Sequence, residues 1–405
     1  MTSARLAVDV GGTFTDVVRL DEDGRLTFGK VPTTPARPTE GVIAAFERVD
    51  APFPSTTVFT HGTTLGLNAL LTRTGARTAV IATKGFRDVY LLGRTARKTN
   101  YDIKYQKPPG LLERADTFEV AERMLHDGGV HLPFDQSDAR RVAEMVRDRG
   151  YESVAVAFLH AYANDAHERE MKRILSEVAP EVEVSLSSDL SREYREYERT
   201  STAVLDAYIK PVVRTYLREL GSELADGGFR GRFLMMRSGG GAMTANAALE
   251  QPVNLILSGP AGGVVGAAGF SGIVGEPDLV TIDMGGTSLD ASLVIGGDPV
   301  SYQGAEFEGL PINVSSLYIH TIGAGGGSIA WIDEAGGLQV GPQSAGADPG
   351  PASYGSGGTE PTVTDAALVV GYLGTETPLA GTLTLDEPLA RQALRPVAEA
   401  MGMSL

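Results

Sequence analysis

Two eight-residue stretches hold residues that could do chemistry at matching spacing: Asp9-Val-Gly-Gly-Thr-Phe-Thr-Asp16 and Asp283-Met-Gly-Gly-Thr-Ser-Leu-Asp290. They share Asp, Gly, Gly, Thr and Asp at the same five places. Glycine pairs at Gly11–Gly12 and Gly285–Gly286 let backbone N–H groups converge with no Cβ in the way. Converging N–H groups form a nest suited to phosphate. The hydroxyls of Thr13 and Thr287 add short-range donors. Asp9 and Asp283 can hold Mg²⁺ through water or orient an attacking oxygen. One copy alone reads equally well as an ordinary Gly-Gly hairpin. Two copies, facing each other across a cleft, would neutralise a triphosphate from both sides.

Elements must position these turns. A strand-like run precedes each copy, Arg5-Leu-Ala-Val8 and Leu279-Val-Thr-Ile282, and another follows, Val17-Val-Arg-Leu20 and Ala291-Ser-Leu-Val-Ile295. Two β-rich runs joined by a glycine turn read as a hairpin. The chain therefore holds two hairpins of one design, each expected to open a domain. Between them strands and helices alternate. Residues 39–49, 137–147 (capped by Ser137), 165–178 and 193–224 (with Pro211 as a joint) read as helices. Thr78-Ala-Val-Ile-Ala82 and Ser153-Val-Ala-Val-Ala-Phe-Leu159 read as buried strands. Residues 258–268 read as a small-residue helix, the segment after Ile295 is glycine-rich, and helical patterning returns at 387–401. This alternation predicts α/β layers with mixed sheets.

Composition removes other function classes. The 405 residues carry 35 Lys+Arg against 51 Asp+Glu, a formal charge of −16, which disfavours nucleic acid and anionic membrane surfaces as partners. With 42% hydrophobic and 21% charged residues the chain reads as a globule. It contains no cysteine, which removes disulfides, thiolate zinc sites and a cysteine nucleophile. No Walker A, Gly-x-Ser-x-Gly or His-Glu-x-x-His pattern occurs, so P-loop, serine-hydrolase and zincin chemistry have no carrier. No apolar signal core opens the chain, and the cytoplasm is the expected location. The charged, tyrosine-bearing run at 191–199 reads as a solvated helix face.

The twin hairpins and the small-residue helix between them resemble the actin, hexokinase and heat-shock-chaperone ATPase superfamily. That resemblance implies a two-lobed α/β fold of ribonuclease H type with a helix connecting the lobes. More specific stretches resemble the hydantoinase A / 5-oxoprolinase family. They are His61-Gly-Thr-Thr64 with Asn68-Ala-Leu-Leu71, Gly75-Ala-Arg-Thr78, Lys84-Gly-Phe-Arg-Asp88, Tyr197-Glu-Arg-Thr-Ser-Thr202 with Tyr208-Ile-Lys-Pro211, and Arg237-Ser-Gly-Gly-Gly241. Ile322-Gly-Ala-Gly-Gly-Gly-Ser328 and Ala345-Gly-Ala-Asp-Pro-Gly-Pro351 with Thr362-Val-Thr-Asp365 complete the set.

The resemblance implies ATP-dependent opening of a cyclic amide such as a hydantoin or 5-oxoproline, or, in relatives, ATP-dependent carboxylation of a ketone. In both, a carbonyl-derived oxygen is phosphorylated, and a hydantoinase B-like subunit completes the reaction. A small-molecule kinase and a partner-remodelling ATPase are the rival readings. ATP and Mg²⁺ would sit between Asp9 and Asp283. His61 either serves the substrate side as acid/base or is a hydrogen-bonded histidine at a strand end. Gly325, Gly326 and Gly327 either contact phosphate or ribose or form a plain loop, and Asp348 and Asp365 are weaker site candidates. The implied domains are residues 1–190, the N-terminal hydantoinase/oxoprolinase domain, and 191–405, the hydantoinase A domain. Family chains run longer, so the second lobe is expected to be incomplete. Ser353, Ser356 and Ala367 stand where the family often has Cys, Arg and Asn, which bears on substrate identity more than on fold.

Overall fold

A computed structural model describes residues 3–405 apart from 12–13, 35–36, 95–100, 287, 308, 347, 377 and 380–382. The first hairpin consists of β1 (Ala4–Val10) and β2 (Phe14–Asp21), antiparallel with Asp9 opposite Asp16. β3 (Leu26–Pro32) continues the meander, α1 (Pro38–Arg48) crosses over, and β4 (Thr56–Thr63) returns parallel to β1, with Val8 beside His61. Strands Arg232–Met236 and Ala242–Thr244 extend this sheet beyond β4. Along β1 every second side chain turns inward, because successive strand residues point to opposite faces. Leu6, Val8 and Val10 thus enter the core with Val42 and Phe46 of α1 and Phe59 of β4, while Asp9 is left on the open face. Phe46 meets Phe59 edge to face at 4.9 Å.

A second sheet is fully parallel, in the order Glu183–Leu186, Ser153–Ala157, Thr78–Thr83, Thr117–Val120. Its central strands are buried along their whole length, which is why they read as unbroken apolar runs. Helices Gln136–Asp148 and Ala166–Val178 cover it through Val142, Val146, Met171 and Ile174. The cap of the first of these is Asp135, not Ser137. The Asp135 carboxylate accepts the N–H groups of Ser137 and Asp138 and also the Ser137 hydroxyl, so the better acceptor two residues earlier takes the orphan donors.

The 31-residue helix Glu196–Asp226, about 46 Å long, contributes to the first core and packs on the second sheet. Pro211 lies inside it without ending it. The expected solvated face at 191–199 is only partly so. Arg199 is fully buried, with Nη1 donating to Ser187 Oγ at 2.5 Å and Nη2 to the Phe158 carbonyl at 2.8 Å, and with Glu168 3.8 Å away.

The second hairpin, Leu279–Met284 with Leu289–Ile295, places Asp283 opposite Asp290 in the register of the first. Asp298–Pro299 and Ile319–Ile322 pair with the outer side of Leu289–Ile295. The connecting helix Ser258–Val274 precedes the hairpin and ends on left-handed Gly275. The ladder Ser301–Phe307 with Leu310–Leu317 folds back onto the long helix, where the Asn313 N–H donates to Thr202 Oγ1 at 2.7 Å. The expected mixed α/β layering is the one observed. Among the described residues no helix is long and apolar enough to cross a membrane.

Candidate active site between the two hairpins

Asp9 lies where three segments converge: the end of β1, the end of β4, and the first turn of the connecting helix. A Cβ at Gly62 would stand 2.5 Å from Asp9 Oδ1, and one at Gly259 would stand 3.5 and 3.7 Å from its two oxygens. The absence of a side chain at Gly62 makes this approach possible, whereas at Gly259 a Cβ would make only an ordinary contact. Ser258 ties the helix start to β4, its hydroxyl donating to the Thr63 carbonyl at 3.1 Å. The two turns close alike: Gly11 N–H donates to Phe14 O at 3.0 Å, and Gly285 N–H to Ser288 O at 2.9 Å.

Asp9 opens to the cleft, yet protein surrounds it on most sides. Its carboxyl is pushed up to about 6, first by burial, then by the charges of Asp16 and Asp283, with Lys30 pulling the other way. Asp283, 274 positions along the chain, adds to that rise, and Gly259 of the connecting helix that leads to the second hairpin lies beside Asp9. Asp290 is also raised, by burial first and then by Asp283, while the Thr321 hydroxyl, donating at 2.6 Å, partly offsets this. Lys30 is 2.8 Å from Asp16. Beside Asp283 and Asp290 a cleft of about 520 Å³ runs along Pro260, Gly263 and Val264 of the connecting helix. Gly12, Thr13 and Thr287 lie outside the described residues.

Among the described residues no group of three or more His, Asp or Glu side chains gathers as a metal cage. The arrangement suits a cation held by one or two carboxylates together with ligand oxygens, the usual habit of Mg²⁺ with phosphates. A cation there would relieve the repulsion that raises Asp9.

The glycine loop expected to touch phosphate or ribose braces the second turn instead. Gly326 N–H donates to Gly285 O at 2.9 Å and Gly327 N–H to Gly286 O at 2.6 Å, while Gly325 N–H is taken by Ser328 Oγ at 2.8 Å. With all three donors engaged, none is left to cradle an anion. Behind the loop, Thr364 donates its N–H and its hydroxyl to Gly326 O at 2.7 and 2.8 Å. Asp365 is buried and accepts from the N–H groups of Ser353, Ala352 and Thr362 and from the Thr362 hydroxyl. It acts as a clamp on a helix start rather than a ligand-facing group.

His61 is also displaced from its expected place on the substrate side. It points into the first core, fully buried, because it shares an inward face with Phe59 two residues earlier. Its Nδ1 lies 3.1 Å from Val8 O, and its Nε2 lies 2.6 Å from the Tyr216 hydroxyl. A carbonyl can only accept, so Nδ1 carries the proton and Nε2 accepts from Tyr216. Burial lowers His61 to about 4 and raises Tyr216, leaving both neutral. His61 therefore fixes the β1–β4 register beneath Asp9 and does no acid/base chemistry in the cleft.

Sequence reading missed a further buried cluster at the carboxyl ends of the parallel sheet. Glu122 accepts from the Thr83 hydroxyl and pairs with His167 Nδ1 at 2.7 Å. Burial raises Glu122 above the ordinary carboxylate range. Only the sequence position at strand ends hinted at it, since Thr, Glu and His there share no motif.

Comparison with known proteins supplies the context. Residues 199–405 match the hydantoinase/oxoprolinase family model, and residues 5–179 match the model of the hydantoinase/oxoprolinase N-terminal region. The caprolactamase subunit alpha of Pseudomonas jessenii is 34% identical over 99% of this chain and 59% of its own length. The crystal structure of that ATP-dependent caprolactamase superposes with a TM-score of 0.82 over 99% of this chain and 60% of the other. The acetophenone carboxylase gamma subunit of Aromatoleum aromaticum is 36% identical, covering 98% and 57%. The nucleotide-free structure of acetone carboxylase, from work on ATP-dependent acetone carboxylation, matches at 27% identity and a TM-score of 0.85, covering 100% and 60%. The chain thus spans about three fifths of the length of these relatives. The fold is of the actin-like ATPase class, and by two family models that together cover most of its length the chain belongs to the hydantoinase/oxoprolinase family.

Proposed function

We propose that this chain is the nucleotide-using part of an enzyme that spends ATP to phosphorylate the carbonyl oxygen of a cyclic amide for ring opening. The observation that carries the reading is the repeated turn itself: both hairpins set Asp opposite Asp in one register, and the Asp9 carboxylate lies against Gly62 and against Gly259 of the helix leading to the second. Two acidic phosphate-type turns facing one cleft suit a bound cation and a triphosphate, since phosphoryl transfer depends mainly on positioning and on neutralising charge. The family model and the ATP-dependent caprolactamase likeness agree with it.

In this reading the amide oxygen attacks the γ-phosphorus and ADP leaves with the electrons of the broken P–O bond. Water adds to the activated carbon, the ring C–N bond opens, and a second water releases inorganic phosphate. Asp9 and Asp283 hold and orient ligand oxygens and any Mg²⁺, which when bound supplies charge neutralisation. Thr13 and Thr287 belong to the turns that take phosphate. The buried His61–Tyr216 pair positions Asp9 from behind. The relatives are named as subunits, and a hydantoinase B-like partner completing the reaction is part of the proposal.

Calorimetry with ATP–Mg²⁺ tests it. Asp9→Asn is expected to weaken binding by about tenfold or more, the worth of one lost charge-assisted contact. Binding should also fall as pH drops through 6, where Asp9 takes up a proton. Equal affinity in the variant and across that pH range rejects the assignment. A second reading, ATP-dependent ketone carboxylation, is favoured by the acetophenone and acetone carboxylase likenesses. Bicarbonate-dependent ATP turnover with a ketone, absent with lactams, would select it.

A further inference from the structure

The parallel sheet reverses its winding in the middle. From Thr78–Thr83 the chain first runs outward to Thr117–Val120, then returns to build Ser153–Ala157 and Glu183–Leu186 on the other side. The reversal falls between Thr78–Thr83 and Ser153–Ala157. In open parallel sheets the crevice outside the carboxyl ends at such a reversal is where ligands bind. A cavity of about 20 Å³ lies there. Thr83 and Leu159 line it from the two strand ends, Arg87 and Tyr90 from the segment after the first strand, and Glu196 and Arg199 from the start of the long helix. Two of these side chains hold a donor without a partner. Arg199 is 1% exposed; Ser187 and Phe158 take its Nη groups, and its Nε, also buried, is unengaged among the described residues. Arg87 gives Nη2 to the carbonyls of Arg114 and Thr117 at 3.0 and 3.1 Å, and its buried Nε is likewise unengaged. The Thr83 hydroxyl is committed, donating to Glu122 and accepting the Leu159 N–H. Glu168, 3.8 Å from Arg199, is held by the Phe158 and Ser188 N–H groups and the Ser187 hydroxyl.

Buried guanidinium donors left without an acceptor cost free energy, so the pair calls for an acceptor inside the cavity. The approach favours a negative one. On its outer side Arg87 also lines a groove of about 300 Å³ with Lys84, Arg141 and Arg149. The two acids of that groove are engaged, Asp138 with Arg141 at 2.5 Å and Glu119 with the Gly85 N–H at 2.6 Å. Four cations against two carboxylates, on a chain of charge −16, draw anions to this side. We propose that the reversal point is a second ligand site, lined by neither hairpin, which takes a small carboxylate between Arg87 and Arg199. Each Nε–H donates to a carboxylate oxygen, a planar acceptor that matches planar donors. The cavity suits an ion as small as formate better than a bulkier tetrahedral one. The site shares no residue with the nucleotide cleft, so either assignment stands if the other fails.

Thermal unfolding of the chain without nucleotide, titrated with sodium formate, tests the site, with sodium sulfate at matched ionic strength as the control. Formate is expected to raise the unfolding temperature and to level off as the site fills. Arg87→Gln removes a half-buried side chain and leaves the Arg199–Glu168 pair in place. In that variant, measured against its own anion-free unfolding temperature, half of the rise should need about tenfold more formate or more. The response to sulfate should be the same in both proteins. Crystals of the parent grown with formate should show a planar ion touching both Nε atoms. An identical formate response in parent and variant overturns the proposal. So does a lone water between the two arginines in crystals grown with and without formate.

Discussion

Asp9 and His61 sit on adjacent strands and face opposite ways, and their ionisations pull folding stability in opposite directions. His61 titrates near 4 in the folded chain against an ordinary 6.5. The unfolded chain therefore binds the proton first, and stability falls as pH drops from 6.5 towards 4. Relative to pH 8, this group alone is expected to remove about 2 kcal/mol by pH 5. Asp9, raised from 3.8 to about 6, works the other way. The folded chain binds its proton first, so it regains stability as pH falls through 6. Urea unfolding at pH 8 and pH 5 separates the two. His61→Gln should be less stable than the parent at pH 8 but should lose less between the two pH values. An equal loss in both proteins would mean that His61 is not held neutral.

Asp9 drew notice in the sequence because its motif occurs twice. The role of His61 was not legible there, since strand alternation places it with Phe59, and the Tyr216 that engages it is 155 positions away.

At the scale of elements, the second turn depends on a loop that looked like a ligand loop. The spacing of Gly325, Gly326 and Gly327 fits a phosphate cradle equally well, and only the partner carbonyls of Gly285 and Gly286 decide between the two roles. Gly327 is the sensitive position, because a Cβ there would stand 2.9 Å from Gly286 O and 3.0 Å from Ser344 Oγ. Gly327→Ala is expected to cost about 1–3 kcal/mol through the displaced turn. It should also weaken nucleotide binding without touching nucleotide. Thermal unfolding and calorimetry on the variant check this, and unchanged values in both would show that the loop does not brace the turn. The helices and buried strands were legible to within a few residues from periodicity. The Asp135 cap and the buried Arg199 were missed, one because a neighbouring serine also suits a cap, the other because a charged run hides which side chain turns inward.

Across the whole molecule the two hairpins keep unequal company. The first shares a large core with the long helix, while the second packs only its Val294 with Ala261, Val264 and Leu317 in a small buried cluster. The sequence places a boundary near residue 190. Yet the elements do not part there. Strand Arg232–Met236 pairs with β4 across that boundary, and the helix Glu196–Asp226 fills the first core. Residues 192–195, including Arg192 and Arg195, are exposed just before that helix. Brief trypsin treatment is expected to nick the backbone there and give two bands on a denaturing gel. Under native conditions the two pieces should still co-elute at the size of the uncut protein, like a clasp whose tongue stays in its buckle after the strap is severed.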